Sequence, residues 1–245
     1  MPVSISESVV LRSFPLNESD LVTTFYSRSF GRISGVAKGA RRPLSRLGGR
    51  LEPLSISEIV FYGKEGRDLV TIDKAELIEG FSQKTRHYRC LLQLQLLAEL
   101  LLETTPEREP NDPLYRLLIL VLPYLTQPAT ADLAQVYFEI WYLKLAGLFP
   151  SHRHCFRCGL VLQGECALDQ LQHFVCAQCK RERAWNVSAN MHLLLEAICK
   201  RHLKDLSREW LDVTVLSELE ELANELLQQS FERQFQTLKI LGQPN

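Results

Sequence analysis

The sequence predicts an α+β protein, with an N-terminal five-stranded OB-type β-barrel followed by an α-helical domain that carries a four-cysteine zinc module. Three observations point there. Five short β-branched and apolar segments fall within the first eighty residues, a helical period takes over near residue 87, and two Cys-x-x-Cys pairs stand seventeen residues apart within the helical part. The expected boundaries are 1–80 for the barrel, 81–150 for the first part of the helical domain, 151–184 for the zinc module and 185–240 for the second helical part.

The five strand candidates are Ser4–Phe14, Leu21–Tyr26, Ile33–Ala37, Leu54–Tyr62 and Leu69–Ile72. Gly, Pro, Asn and Ser punctuate them at the spacing of a small barrel. Five strands suit an OB-type barrel, and an SH3-like barrel fits the pattern nearly as well.

His87 to Glu103 then places Cys90, Leu94, Leu97, Ala98 and Leu101 on one helical face. Asp112 is the expected N-cap of a second helix, with Pro113 at its first position and an end towards Pro123. A third helix is expected from Thr130 through Leu145, stopped by Gly147 and Pro150. Ser188 is expected to cap a fourth, and Ser217 with Glu220 reads as a capping box for the last.

With 46% hydrophobic and 23% charged residues, the composition is that of an ordinary soluble globular protein. Charge is uneven along the chain. Residues 1–89 hold 14 Lys and Arg against 10 Asp and Glu, whereas the remainder holds 14 against 19. A basic first third favours an anionic partner there. Residues 1–10 lack the basic-then-apolar pattern of an export signal, and no apolar segment is long enough to span a bilayer, so a reducing cytoplasm is the expected location. In that compartment cysteines serve metals more readily than disulfides.

Cys155-x-x-Cys158 and Cys176-x-x-Cys179 supply four soft ligands at the spacing of a closed, structural zinc site, with a hairpin over Glu165–Val175 to bring the two turns together. A catalytic zinc would leave a position open, and a redox dithiol would use one pair. His152, His154, His173 and Cys166 lie close enough in sequence to act as substitute ligands, while Cys90 and Cys199 fall on apolar helix faces.

No Asp or Glu occurs between Leu21 and Leu51, a stretch that holds Arg28, Arg32, Lys38, Arg41, Arg42, Arg46 and Arg50. A glycine-containing basic loop suits nucleic acid, because cations track phosphate without reading sequence. Phe25, Tyr26 and Phe30 flank it and could stack on bases, although alternating aromatics in strands more often belong to a core. The competing reading is a solvated loop whose charges pair with the acidic helices. No P-loop, H-E-x-x-H or G-x-S-x-G motif is present, so a non-enzymatic role is expected.

Several segments in order resemble the RecO family of bacterial recombination and repair proteins. Asn17-Glu18-Ser19-Asp20-Leu21-Val22 is similar to its early "GExD" strand, with Asn17 where Gly is usual. Gly31-Arg32-Ile33-Ser34-Gly35-Val36-Ala37-Lys38-Gly39-Ala40-Arg41 is similar to its most recognisable segment. Leu51-Glu52-Pro53-Leu54, Ala75-Glu76-Leu77-Ile78 and Ala146-Gly147-Leu148-Phe149-Pro150 before Cys155 continue the match.

The resemblance implies a recombination mediator that binds single- and double-stranded DNA and anneals complementary strands. It implies RecR and the C-terminal tail of single-stranded DNA-binding protein (SSB) as partners, and RecF and RecA indirectly. A zinc-stabilised protein-interaction scaffold without a direct DNA role is the alternative, and an unrecognised nucleic-acid enzyme a third.

Overall fold

The computed structural model describes residues 3–63, 68–206 and 212–243. It divides into two compact units, Met1–Ala131 with Phe235–Asn245, and Asp132–Gln234. Among the described residues, no helix is long and apolar enough to cross a membrane.

The first unit is built on a closed five-stranded barrel. Its strands are β1 (Val3–Pro15), β2 (Leu21–Ser27), β3 (Gly31–Ala37), β4 (Ser55–Tyr62) and β5 (Val70–Gly80), paired in the order β1-β2-β3-β5-β4 and back to β1. All pairs are antiparallel except β3 with β5, where Gly35 lies opposite Val70. This closure leaves no free sheet edge and is the OB arrangement that the strand count suggests. Inward-facing Val10, Phe25, Ile33, Ile59, Phe61 and Ile72 fill the barrel. The Phe25 and Phe61 rings meet edge-on at 5.6 Å, and Phe30 meets Phe61 at 5.4 Å. Glycine is required at position 35, because a Cβ there would stand 2.7 Å from Val70 Cγ2.

Two helices follow in the same unit, α1 (Tyr88–Thr104) and α2 (Asp112–Leu125). The apolar face of α1 buries Cys90, Leu94, Leu97, Ala98 and Leu101, as its period predicts. The cap of α2 is Asn111 rather than Asp112, since the Asn111 side chain accepts from Leu114 N at 3.0 Å. Asp112 is thereby free to take cations. Tyr115 of α2 donates its hydroxyl to Glu7 Oε1 at 2.9 Å, and burial together with that bond keeps the phenol protonated.

The second unit contains most of α3 (Pro128–Leu145), a small sheet of β6 (Cys166–Leu168), β7 (Phe174–Cys176) and β8 (Trp185–Val187), then α4 (Ala189–Lys200) and α5 (Val213–Ser230). Gly147, at φ 72°, ends α3 while Leu148 N donates back to Leu143 O. Ser188 caps α4 through Met191 N. The expected capping box at Ser217 is not used. The helix starts one turn earlier, capped by Asp212, and Glu220 accepts from Gln135 instead.

A last helix, α6 (Gln236–Leu241), returns to the first unit and was not foreseen from the sequence. Its first turn donates Gln236 N and Thr237 N to the Glu99 carboxylate of α1 at 2.7 and 2.9 Å. The cap comes from another helix, so six residues of α6 show no local start signal.

Candidate metal centre and nucleic-acid interface

In the second unit, the tight turns at Cys155–Cys158 and Cys176–Cys179 face one another. Gly159 N donates to Cys155 O, Cys155 N donates to Leu160 O, and Cys179 N donates to Cys176 O. The β6–β7 hairpin, with Cys166 opposite Cys176, brings the two turns together as the spacing predicts. All four sulfurs lie within 4.8 Å of one another. Cys158 Sγ and Cys176 Sγ are 3.8 Å apart, which matches the edge of about 3.8 Å in a sulfur tetrahedron with bonds of about 2.3 Å.

The electrostatics of the cluster favour a cation. Burial opposes ionisation of Cys155, but hydrogen bonds from the backbone at Cys176, Cys158 and Arg157 outweigh it and bring that thiol down to about 6. Cys179 goes the other way, to about 12, because the Cys158 and Cys176 sulfurs hold its proton. Four adjacent thiolates need a central positive charge, and these residues are placed to hold a metal ion.

The neighbouring candidates are elsewhere. Cys166 is buried in β6, and burial pushes its thiol up to about 12. His152 Nε2 sits 2.7 Å from Glu196 Oε1, and His192 Nε2 is 2.9 Å from His152 O. His173 stacks flat on Phe156. Among the described residues, none of them joins the four-sulfur group. Cys90 is a core residue of α1 and Cys199 is half-buried on α4.

In the first unit, the basic residues fall into two groups. Arg28 is held by the first residue of α2 and Arg32 by the segment between α1 and α2. Arg28 Nε donates to Asp112 Oδ1 at 2.8 Å, whereas Arg32 donates to Thr105 O at 3.0 Å and to Glu107 Oε1 at 3.3 Å. Gly31 lies so close to that segment that a Cβ would stand 2.2 Å from Glu109 O.

Lys38, Arg41, Arg42, Arg46 and Arg50 lie on the connection from β3 to β4, and all five are exposed. This connection is fastened at both ends. Ala40, Leu47 and Leu51 join the barrel core. The Asp20 carboxylate accepts Gly39 N at 2.8 Å, Arg41 N donates to Ser19 O, and Arg41 Nη1 donates to Asn17 O at 2.6 Å. Bonds from Gly39, Asn17 and Ser19 hold the Asp20 carboxyl down at about 2. Arg50 donates to Ala75 O at 3.2 Å, while Lys38, Arg42 and Arg46 make no ion pair within 4 Å among the described residues.

The aromatic residues behave differently from the stacking proposal. Phe25 and Tyr26 are fully buried and offer no ring face to a base, whereas Phe30 is partly buried and packs on the core. The barrel instead exposes Phe14, with the Arg12 guanidinium 5.3 Å from its ring centre. A β-bulge between Val10 and Arg12 shifts the strand's phase. Alternation alone gives no sign of it, so the sequence did not reveal this pair.

A family model described as "Recombination protein O N terminal" matches residues 1–81, and another described as "Recombination protein O C terminal" matches residues 88–239. Curated relatives carry the name "DNA repair protein RecO". The protein of Koribacter versatilis is 29% identical over 237 residues, covering 96% of this chain and 97% of that one. That of Thermodesulfovibrio yellowstonii is 30% identical over 202 residues, covering 82% and 80%. That of Syntrophotalea carbinolica is 34% identical over 163 residues, covering 65% and 62%.

Proposed function

Because the chain belongs to the RecO family of DNA repair proteins, we propose that it is a non-enzymatic recombination mediator. It binds single- and double-stranded DNA, anneals complementary strands, and with RecR helps RecA replace SSB. RecF is an indirect partner, the SSB C-terminal tail docks on the helical part, and the protein works in the cytoplasm at the nucleoid.

The observation that carries this reading is the connection from β3 to β4, which holds no acidic residue from Lys38 to Leu51. It is pinned to the barrel by Leu47 and Asp20, yet it turns Lys38, Arg41, Arg42 and Arg46 to solvent. A fastened loop presents its cations without a large ordering cost on binding. Phosphate contacts from these groups neutralise a strand independently of sequence, which lowers the repulsion that opposes annealing. Arg12 over Phe14 adds an exposed ring of the kind on which bases stack. Arg28, Arg32 and Arg50 complete the same basic set, and each also holds a hydrogen bond within the first unit, as Arg41 does to Asn17 O.

The four cysteines hold one zinc ion. Four thiolates in a closed tetrahedron leave no position for substrate, so the ion braces the small β6–β7–β8 lobe and takes no part in DNA chemistry. Binding of labelled single-stranded DNA across a salt series tests the DNA reading. Affinity that ignores salt, or survives neutralisation of Arg41, Arg42 and Arg46 together, contradicts it.

A further inference from the structure

The metal lobe carries an aromatic feature that neither its fold nor its metal requires. Phe156, inside the first Cys-x-x-Cys turn, is 66% exposed. Its ring lies parallel to that of His173, with centroids 3.6 Å apart and planes 1° from coplanar.

Both members of the pair are held in place. Phe156 N donates to Phe174 O at 2.9 Å, which fixes the turn against β7. Asp169 accepts His173 N and Leu171 N at 2.9 and 3.0 Å, and its Oδ1 also lies 3.6 Å from His173 Nδ1. The other oxygen of Asp169 faces Arg157 Nη2 at 3.5 Å. Arg157 and Arg181 then line a shallow pocket of about 290 Å³ together with Asp169, Leu171 and Glu182.

We infer that this lobe is a second single-stranded nucleic-acid contact, in which an unpaired base stacks on the outer face of Phe156 while Arg157 and Arg181 take adjacent phosphates. Charge favours nucleic acid over an apolar peptide as the occupant. Residues 153–183 hold five Lys and Arg against three Asp and Glu, within a part of the chain that is otherwise acidic. A ring already stacked on one side and rigidly mounted loses little freedom when a base covers the other side. Duplex DNA offers no free base face, so the contact discriminates single strands from duplex.

The inference rests on the DNA-binding reading above, and the test separates the two. Full-length wild type, Phe156→Ala, Phe156→Trp and Arg157→Ala/Arg181→Ala are titrated with labelled oligo(dT) and with a labelled duplex. Metal content and thermal unfolding are measured for each.

Phe156→Ala should weaken oligo(dT) binding about tenfold, as expected for one lost stack, and change duplex binding less than about twofold. Phe156→Trp should restore it, and oligo(dT) should quench the new indole. Arg157→Ala/Arg181→Ala should weaken oligo(dT) binding and flatten its salt dependence. Equal oligo(dT) affinity in wild type and Phe156→Ala, with metal retained, overturns the inference while leaving the basic loop untouched. So does a Phe156→Ala defect confined to binding of a protein partner. If wild type itself fails to bind oligo(dT), both readings fall.

Discussion

Arg28 Nε donates to Asp112 Oδ1 across 2.8 Å, and Arg116 Nε of the next turn of α2 reaches the other oxygen of the same carboxylate at 2.8 Å. Asp112 therefore holds a cation from the barrel and one from its own helix. The Arg28 hydrogen bond, above all, holds its carboxyl below the usual range. A carboxyl lowered by folding stabilises the fold above its unfolded pKa and loses that contribution as pH falls through the folded value.

The first prediction separates fastening arginines from displayed ones. Arg28→Ala should leave single-stranded DNA affinity within about twofold of wild type, because exposed ion pairs carry little. Neutralising Arg41, Arg42 and Arg46 together should sharply weaken binding. If four displayed cations contact phosphate, log affinity falls with log salt at a slope near about −3, and the triple variant should approach about −1. Fluorescence anisotropy across a salt series measures both.

A second prediction concerns Asp20. Its carboxylate clamps the Gly39 N–H and is held at about 2, so the clamp persists at neutral pH and releases only as pH falls through that value. Asp20→Ala should speed amide exchange at Gly39 and Arg41 and reduce DNA affinity although every cation of the loop is retained. Asp20→Asn retains an acceptor oxygen and should lose less. Unchanged exchange at Gly39 in Asp20→Ala would show that the loop is held without the clamp.

The third prediction tests the pinning of the loop by packing. Leu47 is buried in the barrel core, so Leu47→Ala should cost about 2 kcal/mol of stability by denaturant titration. The same change should weaken DNA binding, because the arginines on either side lose their fixed mounting. A fully stable variant would place Leu47 outside the core.

The fourth concerns the metal. Cys176→Ser should abolish binding of the ion and unfold the lobe, since such sites contribute on the order of 10 kcal/mol to small zinc modules. Cys166→Ser should keep one ion per chain, because that thiol lies in the sheet and outside the sulfur group. Metal analysis with thermal unfolding before and after chelation distinguishes the two. Unchanged unfolding after verified removal of the ion contradicts a structural role.

The sequence made the barrel and the cysteine site legible because both are local signals. Apolar and β-branched runs between turn residues mark the strands, and each Cys-x-x-Cys turn is a self-contained motif joined by a short hairpin. What it concealed depends on distant partners. Asn111 rather than Asp112 caps α2, and Asp112 instead binds Arg28, 84 residues away. Asp212 displaced the apparent capping box at Ser217, whose Glu220 turns to Gln135. The same limit applies to the basic stretch, where composition groups seven cations and gives no sign that Arg28, Arg32, Arg41 and Arg50 also hydrogen-bond within the fold. The Asp20 clamp lies one residue before the acid-free stretch, so counting charges missed the acid that shapes the loop.

Annealing of complementary strands coated with SSB, followed by strand-pairing fluorescence with and without RecR, tests the central claim most directly. Wild type should accelerate annealing, RecR should modulate it, and neutralisation of Arg41, Arg42 and Arg46 should remove most of the acceleration while metal content stays unchanged. No acceleration by the wild-type protein under any of these conditions would contradict the account.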